Sequence, residues 1–431
     1  MAGGVVAMIL AGGEGSRLSI LSNNRAKPAV PFASNYRIID FTISNVMHSG
    51  VRYLGILTQY KPYSLMSHIG MGEAWGFTGR RSLAKILPPY VGDKDSDWYA
   101  GTADAIFQNL SFINRFDPET VLVLSGDHIY NMQYADLIAF HTQNNSDLTI
   151  ATQPVSPSDT KRFGIVKFDG RGRIEGFQEK PKSNPISNQG NLGIYAFKRK
   201  VLEAWLREDA SNPESSHDFG KDIIPKMIRE CPCYAYEFTH YWRDVGTLQS
   251  YWEANVECLN PRSGLNLHDW EVHTNCENIP EAYLTPTQIA DGGATINSIV
   301  GKGSTIRGKV VNSILFHGIE IGKDTEVRDS VILDGARIGD GVRLHRVICD
   351  KNVQIGEGSC LGQLSCESPA NRLHPDHLWT GLTLIGKGAR IPANTRIGCN
   401  CLVHPGLDHH HFSHTDIPCG STISVNGHDQ E

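Results

Sequence analysis

An apolar run, Val5–Leu10, is followed at once by Ala11-Gly12-Gly13-Glu14-Gly15-Ser16-Arg17-Leu18. Glycines at the exit of a strand let the backbone fold tightly over a polyphosphate, with amide N–H groups and the start of the next helix aimed at the negative charge. The stretch lacks the G-x-G-x-x-G spacing of a dinucleotide loop and the G-K-[ST] ending of a Walker loop, and taken alone a plain strand-to-helix turn would look the same. Two cations come soon after: Arg17 within the loop and Lys27 in Asn24-Arg25-Ala26-Lys27-Pro28. Arg grips two oxygens and Lys supplies a point charge, which suits a polyphosphate that must depart with extra negative charge.

A second constellation follows the apolar run Val121–Leu124, which ends in Ser125-Gly126-Asp127-His128. A carboxylate at the C-terminal end of a parallel strand stands where α/β sheets bind ligands, and it can hold Mg²⁺ against phosphate oxygens. His128 reads as a packing or hydrogen-bonding neighbour rather than a base, because phosphoryl and nucleotidyl transfers rest on positioning and charge stabilisation. Asp244, in Tyr241-Trp242-Arg243-Asp244-Val245-Gly246-Thr247, is a candidate second metal ligand, although sequence alone does not bring the two acids together.

Residues 1–258 carry the rhythm that could position such groups. Val5–Leu10, Tyr53–Thr58, Val121–Ser125 and Leu148–Thr152 read as strands, with helices predicted at Ile39–His48, Ala103–Phe116 and Met132–Thr142. That alternation indicates an α/β domain with a mostly parallel sheet. Residues 259–292 are proline-bearing and weakly periodic and read as a linker. From 293 to 431 helical patterns vanish. Ile321-Gly322, Ile338-Gly339 and Ile355-Gly356 recur seventeen residues apart, and Ile385, Ile391, Ile397 and Val403 step by six. A six-residue step with three faces per coil predicts a parallel β-helix, its aliphatic residues stacked inward and the following Gly turning the corner. The chain holds 43 glycines in 431 residues, above the usual ~7%, and the excess gathers in the first loop and this repeat.

Charge and composition exclude other classes. The net charge is −6, with Lys and Arg scattered, so neither nucleic acid nor an anionic membrane is expected as a partner. No membrane span or signal peptide is legible. All ten cysteines lie between Cys231 and Cys419 without a disulfide spacing, which points to a reducing compartment, the cytoplasm.

Beyond single residues, a set of stretches occurs in order along nearly the whole chain. They are Leu10-Ala11-Gly12-Gly13 with Arg17-Leu18, Arg25-Ala26-Lys27-Pro28-Ala29-Val30-Pro31-Phe32, Tyr36-Arg37-Ile38-Ile39-Asp40-Phe41, Trp98-Tyr99 with Gly101-Thr102-Ala103-Asp104-Ala105, Ser125-Gly126-Asp127-His128-Ile129-Tyr130, Glu179-Lys180-Pro181, Ser216-His217-Asp218-Phe219-Gly220-Lys221-Asp222 and Tyr241–Thr247. Together they resemble the bacterial ADP-glucose pyrophosphorylases (glucose-1-phosphate adenylyltransferases), a family of sugar nucleotidyltransferases. The resemblance implies an α/β fold: an N-terminal Rossmann-like, mixed and mostly parallel sheet, then a C-terminal left-handed parallel β-helix. It implies transfer of the adenylyl group of ATP to α-D-glucose 1-phosphate with release of pyrophosphate, Mg²⁺ dependence, a role in glycogen biosynthesis, a homotetramer that could include a related regulatory subunit, and an anionic metabolite effector. It assigns Leu10, Ala11, Gly12, Gly13, Gly15, Ser16, Gln59, Gly101 and Thr102 to the nucleotide. Tyr99, Gly164, Glu179, Lys180, Asn191, Tyr195, Asp218 and Trp242 go to the sugar phosphate. Arg17, Lys27, Asp127, Lys180 and Asp244 are the catalytic set, Asp127 and Asp244 its metal ligands.

Two departures carry expectations. Asn191 stands where the family often has Ser, so the sugar pocket is expected to differ in shape. Asn24 stands where members activated by fructose 1,6-bisphosphate have Lys, and their basic C-terminal segment has no counterpart; weak activation or another effector is expected, with Arg25 and Arg37 retaining anion-binding capacity. A sister enzyme making UDP-, GDP- or dTDP-sugars, a non-catalytic regulatory subunit and a bifunctional acetyltransferase remain as competing readings. His404, His409, His410, His411 and His414 near Cys399, Cys401 and Cys419 match no zinc spacing and read as a solvated tail. His317, His345 and His374 read as corner or loop residues.

Overall fold

The computed structural model describes residues 4–13, 15–79, 81–89, 98–267, 269–362, 369–425 and 427–428. Glu14 and Cys366 lie outside the described residues. The chain forms two compact units: Met1–Gly13 with Ile39–Trp242, and Glu14–Ile38 with Arg243–Glu431. This differs from the linear division expected at 258 and 292, since residues 14–38 leave the first unit and pack with the second.

The first unit is built on a nine-stranded sheet. Its strands are β1 (Val5–Leu10), β2 (Tyr53–Leu57), β3 (Leu83–Leu87), β4 (Thr120–Ser125), β5 (Leu148–Pro154), β6 (Ile165–Phe168), β7 (Ile174–Gln178), β8 (Gln189–Lys198) and β9 (Cys233–Glu237). The order runs β7-β6-β8-β4-β1-β2-β3, with β5 and then β9 added at β8. β1 pairs in parallel with β2 and β4, and β2 with β3, whereas β8 runs antiparallel to β4, β5 and β6. The sheet is therefore mixed, with its parallel half at the N-terminal strands. Valines and leucines make up most of the aliphatic content of β1 and β4, which are buried on both faces as central parallel strands must be; Val6, Met8, Val121 and Val123 share one core with Ile106, Leu110, Leu202, Leu206 and Met227.

The predicted helix Ala103–Phe116 is two helices, α2 (Thr102–Gln108) and α3 (Leu110–Asn114), after α1 (Ile38–His48). Asn109 breaks it: its side-chain amide donates to the Ala105 carbonyl and to the Tyr99 hydroxyl, and its backbone leaves the helical region. Asn competes for backbone groups in this way wherever a partner is in reach.

In the second unit, short strands from Gln288 onward stack into three parallel sheets, the walls of a β-helix. The sixfold pulses fall where expected, and Ile321, Ile338, Ile355 and Ile391 form one buried ladder. The expectation that the glycine after each isoleucine turns the corner is corrected. A Cβ on Gly322 would stand 2.6 Å from the Asp340 backbone nitrogen and one on Gly339 2.8 Å from that of Glu357, so these positions need Gly because the next coil passes too close. Positive φ is met instead at Gly303, Gly318, Gly335, Asp324, Asn352 and Asn394, the residue types that adopt it at least cost. No disulfide joins the described cysteines.

One buried histidine of the first unit ties stability to pH. His141, on helix α4 (Tyr134–Gln143), places Nδ1 2.9 Å from Thr149 Oγ1, while its buried Nε2 has no hydrogen-bond partner. Burial, then the neighbouring Lys198, lowers its pKa from 6.5 to about 4, with Asp147 opposing. The unfolded chain takes up this proton first, so stability falls as pH drops from 6.5 towards 4, by at most ~3 kcal/mol. His141→Gln should flatten that segment of the curve in chemical denaturation at stepped pH; an unchanged slope would contradict this origin.

Candidate active site

The first unit holds the glycine exit and the sugar-side residues. After β1, Ala11 N–H donates to the Leu57 carbonyl at 2.9 Å, and Gly126 N–H to the Leu10 carbonyl at 3.0 Å, so the loops after β1, β2 and β4 leave the sheet side by side. A Cβ on Gly12 would come within 3.3 Å of Gln59 Cβ, while among the described residues nothing beyond its chain neighbours lies within 4 Å of that position at Gly13. Gly12 thus permits close packing, and Gly13 leaves open space above the strand end. The Gln59 amide donates to the Tyr99 carbonyl at 3.4 Å.

Gly101 has a packing reason: a Cβ there would stand 2.6 Å from the Ser216 carbonyl oxygen and against that of His217. Ala103 N–H donates to the His217 carbonyl at 2.8 Å. Thr102 Oγ1 donates to Asp218 at 3.1 Å and accepts from Phe219 N–H at 3.0 Å. Asp218 in turn caps the turn Phe219–Ile223 by accepting from Gly220 and Lys221. Residues assigned to the nucleotide therefore fasten the loop assigned to the sugar. Tyr99 is a wall of this region rather than a hydroxyl facing it: its OH donates to Leu87 and accepts from Asn109 in the core.

Glu179 lies between Gly164 and Gly220, whose Cβ positions would fall 3.0 Å and 2.6 Å from its Oε2. Its other oxygen meets Lys180 Nζ at 2.8 Å, and Lys180, mostly exposed, holds a left-handed backbone with φ 44°. A non-glycine residue in that region is held by its surroundings and is typical of functional sites. Asn191 donates to the Tyr195 hydroxyl at 2.8 Å and accepts from Gly193 N–H at 2.9 Å, pinning a bulge in β8. Burial, with Glu179 and Asp218 nearby, pushes the Tyr195 hydroxyl well up, so it stays protonated and able to donate. At the end of β4, Ser125 Oγ donates to Asp127 Oδ1 at 2.5 Å. His128 stands 3.4 Å from the same carboxylate, its ring edge-on to Trp242, which also packs on Phe163.

The second unit holds Arg17, Arg25, Lys27 and Arg37 together with Asp244. Gly15 takes φ 73°, and a Cβ there would crowd Lys27 Cβ at 3.0 Å; its carbonyl accepts from Ser22 Oγ and from Leu18 N–H. Ser16 and Arg17 follow, both exposed. Lys27 Nζ lies 3.2 Å from Asp244 Oδ1, with Lys27 buried and Asp244 partly buried. A Cβ on Gly246 would stand 2.8 Å from Asp244 Oδ1 and 3.1 Å from Arg17 Nη2. Arg17, Lys27 and Asp244, far apart in sequence, thus gather around one glycine. Arg25 turns away into a buried pair with Asp350, and Arg37 donates to the Ala29 carbonyl at 3.5 Å.

Ser125, Gly220 and Gly246 were passed over in the sequence. Their signals were present: Ser two residues before an Asp at a strand end, and Gly beside a charged pair. Elsewhere in the second unit, Cys399 and Cys401 are buried while His409 and His410 are exposed. Asp408, His409 and His410 set ligand atoms within 4.8 Å of one another.

A Rossmann-like sheet with an exit-loop glycine set, joined to a coil of six-residue repeats, defines the class of sugar nucleotidyltransferases. The nucleotidyl transferase family model matches residues 6–260 and the GlmU-like C-terminal hexapeptide model residues 280–374, which identifies the β-helix as the left-handed hexapeptide kind. Glucose-1-phosphate adenylyltransferase of Thermotoga neapolitana is 49% identical over 98% of this chain and 99% of its own. Those of Pseudothermotoga lettingae (46%, 97% of this chain and 98% of its own) and Clostridium acetobutylicum (47%, 74% and 84%) are also similar. The chain belongs to the glucose-1-phosphate adenylyltransferase family.

The fastening of loop 215–221 through Gly101 can be measured. Gly101→Ala should cost about 1–3 kcal/mol of stability by overpacking and raise hydrogen exchange in residues 215–221. Protection there equal to the parent's would show that the loop accommodates the methyl.

Proposed function

We propose that the chain transfers the adenylyl group of ATP to α-D-glucose 1-phosphate, giving ADP-glucose and pyrophosphate. The observation that carries this reading is a side-chain cluster of the first unit, in which Glu179, Lys180, Asp218, Asn191 and Tyr195 lie close together near β8, within a family of this activity. A phosphate oxygen of glucose 1-phosphate attacks the α-phosphorus, and the bond from that phosphorus to the departing pyrophosphate breaks. No base is required, because the attacking phosphate is already anionic. Lys180 holds that phosphate; Glu179, Asp218, Asn191 and Tyr195 orient the hexose through hydroxyl-sized hydrogen bonds, with Gly164 and Trp242 bounding it. Leu10, Ala11, Gly12, Gly13, Gly15 and Ser16 follow the nucleotide phosphates, Gln59, Gly101 and Thr102 border the base, and Arg17 and Lys27 balance the charge on pyrophosphate.

Asp127 and Asp244 would hold Mg²⁺. Their hard carboxylate oxygens suit that ion, and Asp127 remains partly exposed while fixed by Ser125. When bound, the ion draws charge from phosphate oxygens. The same reading places the enzyme in the cytoplasm, in glycogen biosynthesis, as a homotetramer that could include a related regulatory subunit. No helix among the described residues is long and apolar enough to cross a membrane. Regulation by an anionic metabolite belongs to this reading through Arg25 and Arg37; since Arg25 already serves Asp350, an anion at Arg25 must compete with that carboxylate.

Pyrophosphate release with glucose 1-phosphate should be at least tenfold faster with ATP than with UTP, GTP or dTTP. Preference for another nucleotide would identify a sister enzyme, and an inactive pure chain a regulatory subunit. Asp127→Asn should lower kcat by at least 10²-fold with the fold intact by circular dichroism. Lys180→Gln should instead raise KM for glucose 1-phosphate at least tenfold with kcat little changed; a pure kcat loss would move Lys180 from substrate binding to the chemical step.

A further inference from the structure

Residues 14–38 carry Gly15, Ser16, Arg17 and Lys27, yet their packing partners lie in the second unit, beyond residue 243. Besides the Lys27–Asp244 pair, three further contacts among the described residues tie them there. Tyr251 OH donates to the Pro31 carbonyl at 2.7 Å, and Ala33 N–H donates to Asn255 Oδ1 at 2.9 Å, both to or from helix α5 (Leu248–Glu257). The third is ionic: Arg25 Nη2 reaches Asp350 Oδ1 at 2.8 Å and Oδ2 at 3.0 Å, with side-chain exposures of 8% and 1%. Asp350 directly follows the β-helix strand Val347–Cys349, and its Oδ1 also accepts from Lys351 N–H at 2.8 Å. One coil earlier, Asp334 meets Lys351 Nζ at 2.7 Å and His317 Nδ1 at 3.3 Å, so the carboxylate of Asp350 sits on a rigid, charged corner.

The geometry of residues 25–29 makes this attachment consequential. Arg25 is separated from Lys27 by Ala26 alone, and the turn that follows is closed by Ala29 N–H on the Ala26 carbonyl and Val30 N–H on the Lys27 carbonyl. The Lys27 side chain leaves this short, buried turn towards Asp244. Asp244 itself precedes the Thr247–Ser250 capping box of the helix that holds Pro31 and Ala33. Helix α5 is fixed to the same β-helix: Trp252 Nε1 donates to the Asp329 carbonyl at 2.8 Å, and the Arg346 guanidinium lies 4.2 Å over the Trp252 ring. Arg346 takes φ 55° at the coil corner where Asn312 and Asp329 take φ 49° in the preceding coils. Both members of the Lys27–Asp244 pair are therefore referenced to one scaffold, Asp244 through α5 and Lys27 through Arg25.

We propose that Asp350, in the β-helix, is a positioning residue for the pyrophosphate-binding group: by fixing Arg25 it sets where Lys27 and, through the same segment, Arg17 stand. The proposal rests on the reading that Arg17 and Lys27 bind the departing phosphates. A pair that merely staples the fold would affect stability alone, whereas a pair that positions those cations must alter pyrophosphate handling selectively.

The test is steady-state kinetics in both directions for Asp350→Asn, Asp350→Glu and the double replacement Arg25→Met with Asp350→Leu, beside Arg17→Ala and Lys27→Ala as references. Asp350→Asn should raise KM for pyrophosphate at least fivefold and slow the forward kcat, with KM for glucose 1-phosphate within twofold of the parent. Asp350→Glu should recover part of that loss. The double replacement leaves no buried charge unpaired, so it should fold even if Asp350→Asn does not, and it should show the same pyrophosphate defect. A folded double variant with the parent's KM for pyrophosphate would overturn the proposal while Arg17→Ala and Lys27→Ala remain defective. Parent-like pyrophosphate kinetics in those two references would instead remove the phosphate reading, and the positioning role with it.

Discussion

A guanidinium and a carboxylate 325 residues apart in sequence meet inside the protein, and the arrangement of the cationic residues depends on that meeting. Taking Arg25 and Asp350 out of water is costly, and only their mutual geometry and the surrounding donors offset it. Removing one partner leaves the other as a buried unpaired charge, typically a loss of ~3–5 kcal/mol. Such a pair discriminates more than it stabilises: an apolar contact would tolerate sliding, whereas one Nη2 bound to both carboxylate oxygens permits little. The turn at Lys27–Ala29 inherits this restriction because only Ala26 intervenes.

The two compact units hold different parts of the proposed chemistry. Acidic and hydroxyl-bearing groups suited to a sugar gather on the mixed sheet, where β8 bulges at Asn191 and Gly193. Cations suited to a polyphosphate gather on the helical and β-helical unit. A sheet edge can offer alternating hydrogen-bond groups at fixed spacing. A cation facing a leaving group needs an anchor that resists the pull of new negative charge, and a stack of parallel coils, each bonded to the next through its backbone, is such an anchor.

Much of this was legible in the residues. Strand β1 and the sixfold register appear within their predicted limits because aliphatic periodicity is a local signal that burial enforces. The break at Asn109 was not, since it depends on a side chain finding Tyr99 and Ala105 only after folding. Nor was the assignment of residues 14–38 to the second unit, for no local pattern states which distant surface a loop joins. Among site residues, Glu179, Lys180, Asp218, Asn191 and Tyr195 converge, but Tyr99 turns its hydroxyl into the core. The pairing of Arg25 with Asp350 was likewise hidden, because its partner lies 325 residues away.

Glycine shows why composition alone misleads about such roles. Gly15 is required by its positive φ and by Lys27 beside it, Gly101 by two carbonyls of the loop it holds, and Gly322 by the next coil's backbone. Each excludes a methyl group, yet the consequences differ. At Gly322 a methyl would wedge apart two layers of scaffold; at Gly101 it would loosen one loop; at Gly15 it would press on the residue that Arg25 and Asp350 have positioned. An Ala at position 15 therefore strains the same segment that the buried pair restrains, from its opposite end. That couples an architectural site in the β-helix to a backbone requirement in the first loop, and makes the placement of Lys27 the quantity on which both converge.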